Sequence, residues 1–409
     1  TIDVDKRRIY IDLDENRVYT VNNQYAGNSV GLKKLAFRLA IQKAQKEGWL
    51  AEHMFLMGVH GKPDRTTYFT GAFPSACGKT STAMLPGQSI IGDDIAYLRK
   101  TNGKVHAVNV EKGIFGIIQD VNPKDDPLIY DALTTPREVI FSNVLINDGM
   151  PYWLGMGKEV PAEGENFSGQ WYKGKKDEKG NDIPYANKNA RYTIAINELE
   201  NADPELDNPE GVPVKAIVYG GRDSDTTVPV VESLNWEHGV FLGATIESET
   251  TAATLGKEGV RQHNPMANLD FISVPFDTYL ENHLQFPKGL SEVPTIYSVN
   301  YFLKNDEGKF CNGKLDKKIW ILWAEGRVNG EFEAIDTPVG KIPKYEDLKV
   351  LFKKHLDYDY TEKEYQEQFS IRIAKYLAKM DRMTEAFNKF KMPPTFATEL
   401  NNQIKRLKD

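Results

Sequence analysis

The sequence predicts an α/β fold: a mixed β-sheet that carries a phosphate loop, with helices around it. Three observations predict it. First, the apolar, β-prone run at residues 68–73 leads into Gly-Ala-Phe-Pro-Ser-Ala-Cys-Gly-Lys-Thr-Ser at residues 71–81, and a helix start at residues 80–84 leads out. In that layout, backbone N–H groups and a helix N-terminus face an anion. Lys79 is placed to reach the outer phosphates and the Thr80 hydroxyl to hold Mg²⁺. Second, Ile90-Ile91-Gly92-Asp93-Asp94 is a short apolar strand ending in two carboxylates. Beside a phosphate loop, such an end is where Mg²⁺ or Mn²⁺ is held, the alternative being a plain Asp-Asp turn. Third, helical spacing runs through residues 33–46 and recurs beyond Lys344.

The remaining elements follow in order. Residues 2–21 alternate around Asp14-Glu15-Asn16, with Ile9, Ile11 and Leu13 before the turn and Val18 and Val21 after it, which predicts a β-hairpin. Tyr25-Ala26-Gly27-Asn28-Ser29 suits a turn. The helix at 33–46 places Leu35, Leu39 and Ala40 on one face, and residues 55–59 form a buried strand. Residues 139–146 read as one β-type run, and residues 157–190, polar and rich in Gly and Lys, as a long surface loop. Ile217-Val218-Tyr219-Gly220-Gly221-Arg222 ends a strand in a Gly-Gly turn and an arginine. His238 fits a satisfied core histidine or a site residue, the core being favoured. Residues 248–259, small, polar and flanked by glycine, read as a mobile loop. In the C-terminal helices, Leu348, Leu351, Phe352 and Leu356 make one packing stripe and Ile371, Ala374 and Ala378 another.

Composition sets outer bounds. With 409 residues and 40% hydrophobic content, the chain can bury large cores in two domains or subdomains. A net charge of −7 without a long basic run argues against nucleic acid as a main partner. No apolar run approaches the ~18 residues of a membrane span, and no signal-peptide pattern is present. Two cysteines, Cys77 and Cys311, give no disulfide framework, which suits a cytoplasmic setting.

Phe73-Pro74-Ser75-Ala76-Cys77-Gly78-Lys79-Thr80 resembles the kinase loop of the GTP-type phosphoenolpyruvate carboxykinases, including Phe73 where the general phosphate-loop pattern asks for glycine. The resemblance runs through nearly the whole chain. It includes Tyr25-Ala26-Gly27-Asn28, Gly48-Trp49-Leu50-Ala51-Glu52-His53-Met54, Gly92-Asp93-Asp94-Ile95-Ala96 and Asn189-Ala190-Arg191-Tyr192. It continues through Gly220-Gly221-Arg222, Asn300-Tyr301-Phe302 and Gly308-Lys309-Phe310. The resemblance implies a carboxykinase-like fold and a reversible, GTP-dependent conversion of oxaloacetate to phosphoenolpyruvate, CO2 and GDP. It also implies that this is a C-terminal portion lacking the family's N-terminal domain. Residues 1–50 would be the end of that domain, 51–110 the phosphate-loop and metal core, 111–200 a substrate-binding subdomain, and 201–409 a nucleotide-binding domain with a lid at 248–259. Oligomeric state stays open.

The resemblance implies the following roles. Lys33, His53 and Asp94 hold a catalytic Mn²⁺; counting back without a gap selects Lys33, with Lys34 the alternative. Thr80, with Asp93 acting through water, holds a second Mg²⁺ or Mn²⁺ on the nucleotide. Tyr25, Gly27, Ser75, Asn189 and Arg191 bind substrate. Ala76, Cys77, Gly78, Lys79, Thr80, Ser81 and Arg222 bind the phosphates, and Phe302 and Phe310 sandwich the purine. Leu315 and Lys317 or Lys318 stand where the animal-type pattern has Phe and Asn. The catalytic set is Cys77, Lys33, His53, Ser75 and Lys79. Lys79 and a helix N-terminus should lower the Cys77 thiol pKa, leaving it reactive yet replaceable by serine. Three rival readings remain: pyrophosphate or another nucleotide as donor, a small-molecule or protein kinase with a similar loop, and a non-catalytic nucleotide-binding module.

Overall fold

Phe55, Leu56, Met57 and Val59 are fully buried, so the strand Met54–Lys62 is covered on both faces and belongs in the middle of a sheet. The computed structural model describes residues 4–22, 32–75, 77–250 and 259–409. Among them, eleven strands form one mixed sheet. Its main path runs Ala334–Thr337, Gly340–Pro343, Val230–Glu232, Thr295–Asn300, Val212–Gly221, Arg65–Ala72, Met54–Lys62 and Ser89–Gly92. A branch of Leu50–Glu52, Ala96–Thr101 and Lys104–Asn109 joins through the start of Val212–Gly221.

The parallel part of this sheet positions the site. Val212–Gly221 pairs parallel with Arg65–Ala72 on one side and Thr295–Asn300 on the other. The chain leaving these three strands therefore emerges at one edge, which gathers residues 73–75 and 77–79, Arg222 and residues 301–310. The approach is close. A Cβ on Gly220 would lie 2.0 Å from the Phe73 ring, so glycine there lets the loop pass over its neighbour strand. The helix Asp316–Val328 packs on Met54–Lys62, and Trp236–Ala244 on Thr295–Asn300.

The hairpin forms as Arg8–Asp12 against Arg17–Val21, and the first helix as Leu32–Glu47 with Leu35, Leu39 and Ala40 buried. Two local expectations are corrected and two are refined. Residues 139–146 make two strands in different sheets, Val139–Ser142 and Leu145–Asn147, because Asn143 turns the chain at φ 62°. Residues 157–190 are not all loop. Glu163–Asn166 and Gly169–Tyr172 form a hairpin in a four-stranded sheet, with Trp171 buried. The helix Ile373–Phe387 buries Tyr376, Lys379, Met380, Met383 and Phe387 and leaves Ala374 and Ala378 exposed, since bulky side chains gain more from burial than alanines do. The helix after the phosphate loop, Lys79–Ala83, is five residues long, so local N–H groups rather than a long macrodipole face the loop. His238 lies in the core, with Nδ1 accepting from Leu234 N at 3.0 Å and Nε2 3.2 Å from Gln403 Oε1.

Candidate active site

The phosphate loop leaves the strand Arg65–Ala72 through Phe73 and Pro74 and returns at Gly78, whose φ of 103° favours glycine. A side chain at Gly78 would also press on Tyr301, 3.0 Å from the Cβ position. Cys77 N donates to Pro74 O at 3.1 Å, and Thr82 closes the first helical turn on Gly78 O through N–H and Oγ1, at 2.9 and 2.7 Å. Lys79 does not extend over this loop. Its Nζ turns to Asp94 Oδ1 and lies 2.9 Å from His53 Nε2.

Asp94 is the centre of the charged cluster. His53 Nε2 lies 2.7 Å from Asp94 Oδ1, while Lys33 Nζ and Lys34 Nζ each lie 2.6 Å from Oδ2. Burial alone would raise the Asp94 pKa; Lys79, His53 and Lys34 overcome it and hold the carboxyl well below its usual range. The two lysines differ. Burial draws Lys34 down to about 8, helped by Lys79 and Lys33 and opposed by Asp94. Burial acts on Lys33 too, but Asp94 and Glu111 together raise it above an ordinary lysine. His53 is pulled down to about 4 by burial and Lys79, against the opposing pull of Asp94, so its imidazole is neutral near pH 7.

His53 Nδ1 is 3.2 Å from Ala267 O, a carbonyl that can only accept, so Nδ1 carries the proton and Nε2 presents a lone pair. That lone pair faces a carboxylate oxygen, and a cation beside both offsets their repulsion. Here the Lys79 ammonium takes that place. The donor set therefore fits a divalent cation. Asp93 adds a second feature. Its Oδ1 is buried with no hydrogen-bond partner among the described residues, the Thr80 hydroxyl lies against the same carboxylate, and burial raises its pKa. Among the described residues, no three His, Cys, Asp or Glu side chains are grouped to hold a metal; the remaining groups at Asp94 are lysine amines.

Residues 49–406 match the family model for the phosphoenolpyruvate carboxykinase C-terminal P-loop domain. The chain belongs to the phosphoenolpyruvate carboxykinase family. Residues 2–45 match the model for the N-terminal domain of the same family, which corrects the expectation that this domain is lacking. Similar proteins include the GTP-named phosphoenolpyruvate carboxykinases of Thermococcus kodakarensis, 57% identical over 96% of this chain, and Pyrococcus abyssi, 54% identical over 99%. That of Saccharolobus solfataricus is 48% identical over 100%. The chain spans 63% to 66% of the length of these three relatives.

The remaining carboxykinase expectations divide. Asn189 and Arg191 come together, Asn189 Oδ1 accepting from Arg191 Nε and Nη2 at 3.1 and 2.9 Å, and burial lowers the Arg191 pKa. Arg222 stacks on Phe302, 3.6 Å from the ring centroid. Phe302 and Phe310 meet edge to face, centroids 6.3 Å apart and planes at 70°, whereas holding a base between them needs parallel rings. As they stand, the pair is closed on itself. Asp223, the residue after Arg222, is buried and ties down Thr226, Thr227 and Arg261.

The Cys77 thiol is corrected. It is buried, burial raises its pKa, and its Sγ lies 3.0 Å from Ser248 Oγ at the base of the expected lid; Lys79 faces the other way. The lid base is a short hairpin, Glu247–Glu249 against Arg261–His263, with residues 251–258 outside the described residues. Tyr25, Gly27 and Ala76 also lie outside them, and Ser75 is exposed on the loop. Sequence reasoning missed Glu111, Phe271 and Ala267. Each meets the cluster only through folding: Glu111 on Lys33, Phe271 under Lys34 at 4.6 Å, and Ala267 on His53. No local motif marks them.

Proposed function

We propose that this chain carries the catalytic centre of a GTP-dependent phosphoenolpyruvate carboxykinase, converting oxaloacetate and GTP to phosphoenolpyruvate, CO2 and GDP. The observation that supports it is the His53–Asp94 pair, a neutral imidazole lone pair and a carboxylate ringed by three lysines beside a phosphate loop. A divalent cation held there by His53, Asp94 and a lysine would supply Lewis acidity toward the substrate carbonyl; Mn²⁺ is proposed, with Mg²⁺ or Mn²⁺ on Thr80 and Asp93. Lys34 takes the role expected of Lys33, because Lys33 is already tied to Glu111. Lys34 is also the easier of the two to deprotonate.

In the reaction, the C–C bond to the leaving carboxylate breaks and its electron pair becomes the enolate. The enolate oxygen then attacks the γ-phosphorus and GDP departs. Lys79 swings from Asp94 to the transferring phosphoryl group, where it and Arg222 balance the charge. Ser75 sits between substrate and γ-phosphate, and Tyr25, Gly27, Asn189 and Arg191 hold the substrate. The lid at 248–259 keeps water from protonating the enolate to pyruvate. The division of labour among residues 1–50, 51–110, 111–200 and 201–409, and a cytoplasmic setting, belong to the same proposal.

The test compares GTP, ITP, ATP and pyrophosphate as donors with oxaloacetate, in the presence and absence of Mn²⁺. Phosphoenolpyruvate formed with GTP and Mn²⁺, and lost in Lys79→Ala, is expected. Turnover with pyrophosphate alone would replace the nucleotide assignment, and transfer to other acceptors without decarboxylation would point to a kinase.

A further inference from the structure

We infer that the turn Pro265–Ala267 is a positioning device for His53, held in a strained shape by a buried hydrogen-bonded brace so that the Nε2 lone pair always faces the cation. The inference rests on the metal role proposed above for His53. Met266 and Ala267 are consecutive non-glycine residues in the left-handed region, at φ 55° and 51°. Side chains there are costly, and such conformations persist only where the surroundings impose them. The surroundings here do so. Met266 is fully buried against Gly243, where even a Cβ would come within 2.5 Å of its sulfur. Ala267 N donates to Asn264 O at 3.0 Å, and Asn264 N to Ile246 O at 2.9 Å.

The product of this strain is the direction of one carbonyl, Ala267 O, which accepts from His53 Nδ1. A ligating histidine is oriented, and its tautomer fixed, by the bond its other nitrogen makes. The next residue, Asn268, is fully buried and donates from Nδ2 to Tyr279 OH at 3.0 Å. Tyr279 OH donates to Glu52 Oε2 at 2.6 Å, and Glu52 Oε1 lies 3.0 Å from His283 Nε2. Glu52 precedes His53 in the chain. The brace thus returns to the backbone that carries the imidazole and fixes both ends of the His53–Ala267 contact. Among the described residues, no hydrogen bond or ion pair joins Asn268, Tyr279, Glu52 or His283 directly to Asp94, so their role is positioning.

The test uses the full chain, ¹⁵N-labelled at histidine and free of metal. Its ring-nitrogen shifts are read with His53→Gln to assign the signal, and Mn²⁺ binding is then followed by the paramagnetic signal of the free ion. The wild type should show His53 as a single Nδ1–H tautomer. Tyr279→Phe and Asn268→Ala should mix tautomers and weaken Mn²⁺ binding about 10- to 100-fold. Ala267→Gly suits the positive φ and keeps the carbonyl, so it should retain the single tautomer and wild-type affinity, a contrast that general destabilisation does not produce. An Nε2–H tautomer in the wild type, or wild-type affinity in both brace variants, overturns the inference. If His53→Gln itself leaves Mn²⁺ binding unchanged, the metal role of His53 falls instead, while the metal-free tautomer measurement still decides the positioning.

Discussion

Two histidine–carboxylate pairs stand on adjacent residues of this chain, and they hold opposite charge states. His53 lies 2.7 Å from Asp94, and His283 lies 3.0 Å from Glu52. Burial opposes a charged imidazole in both. At His283 the Glu52 carboxylate outweighs burial and raises the pKa, with help from Tyr279 O. At His53, Lys79 and Lys34 sit on the same carboxylate and push the imidazole down to about 4. The distances are similar, although Glu52 Oε1 and His283 Nε2 meet without hydrogen-bond geometry; the cations around each carboxylate decide where the proton goes. One pair is a closed internal brace. The other leaves an imidazole lone pair and a carboxylate pointed at the same small volume, which suits a cation that arrives from outside.

The largest expected effect is the removal of the cationic side of the His53 pair. Lys79→Ala should lower turnover roughly 10³-fold, by several kcal/mol of transition-state stabilisation. A kcat near wild type would remove Lys79 from the chemistry. Asp94→Asn follows, with a loss on the order of 10²-fold or more in metal-dependent activity and unchanged circular dichroism. If Asp94→Asn still binds Mn²⁺ as tightly as the wild type, the pair is not a ligand set.

The two lysines sharpen the comparison. Lys34→Ala should weaken Mn²⁺ binding about 10- to 100-fold, and Lys33→Ala less, in a direct titration. The reverse order would return the ligand role to Lys33.

The pairs should also respond to pH with opposite sign. With a folded pKa of about 4 against 6.5, His53 binds fewer protons folded than unfolded. Its contribution to stability therefore falls as pH drops from 6.5 toward 4. His283 is raised, so its contribution is fully present below the ordinary histidine range and is lost as pH rises through its folded pKa. In urea unfolding with chelator present, His53→Gln should flatten the acid limb and His283→Gln the loss on the alkaline side. Identical profiles for both variants would mean that the neighbouring cations do not set the difference.

The smallest effect belongs to Cys77→Ser, which touches Ser248 rather than either pair. It should change activity little, and thiol reagents followed by mass spectrometry should label Cys311, partly exposed, before buried Cys77. Faster labelling at Cys77 would show that the lid base opens readily.

Much of the site was legible because its parts are local. The strand–loop–Gly-Lys-Thr pattern at 71–81 and the strand ending in Asp93 and Asp94 need only neighbouring residues to be recognised, and both form as expected. Helix and hairpin periodicity were readable for the same reason. The stripe at Ala374 and Ala378 failed because periodicity names a face without saying whether larger residues on another face will bury in its place. The choice between Lys33 and Lys34 also escaped the sequence. Adjacent residues on a helix point about 100° apart, and only the positions of Asp94 and Glu111, from other strands and loops, distinguish them.

The sequence by itself determined the chemistry available: a phosphate loop, two adjacent carboxylates, a histidine and a lysine pair, each defined by residue type and short spacing. Only the tertiary structure decided their states. Cys77 became a less acidic thiol because burial outweighs the lowering effects of Ser248 and Arg222, and Lys79 turned to Asp94. His53 became neutral because residues 26 to 214 positions away in sequence supply its carbonyl, carboxylate and ammonium neighbours. Proton affinity depends on burial and on charges within a few ångströms, and distance in space is set by the fold rather than by distance along the chain.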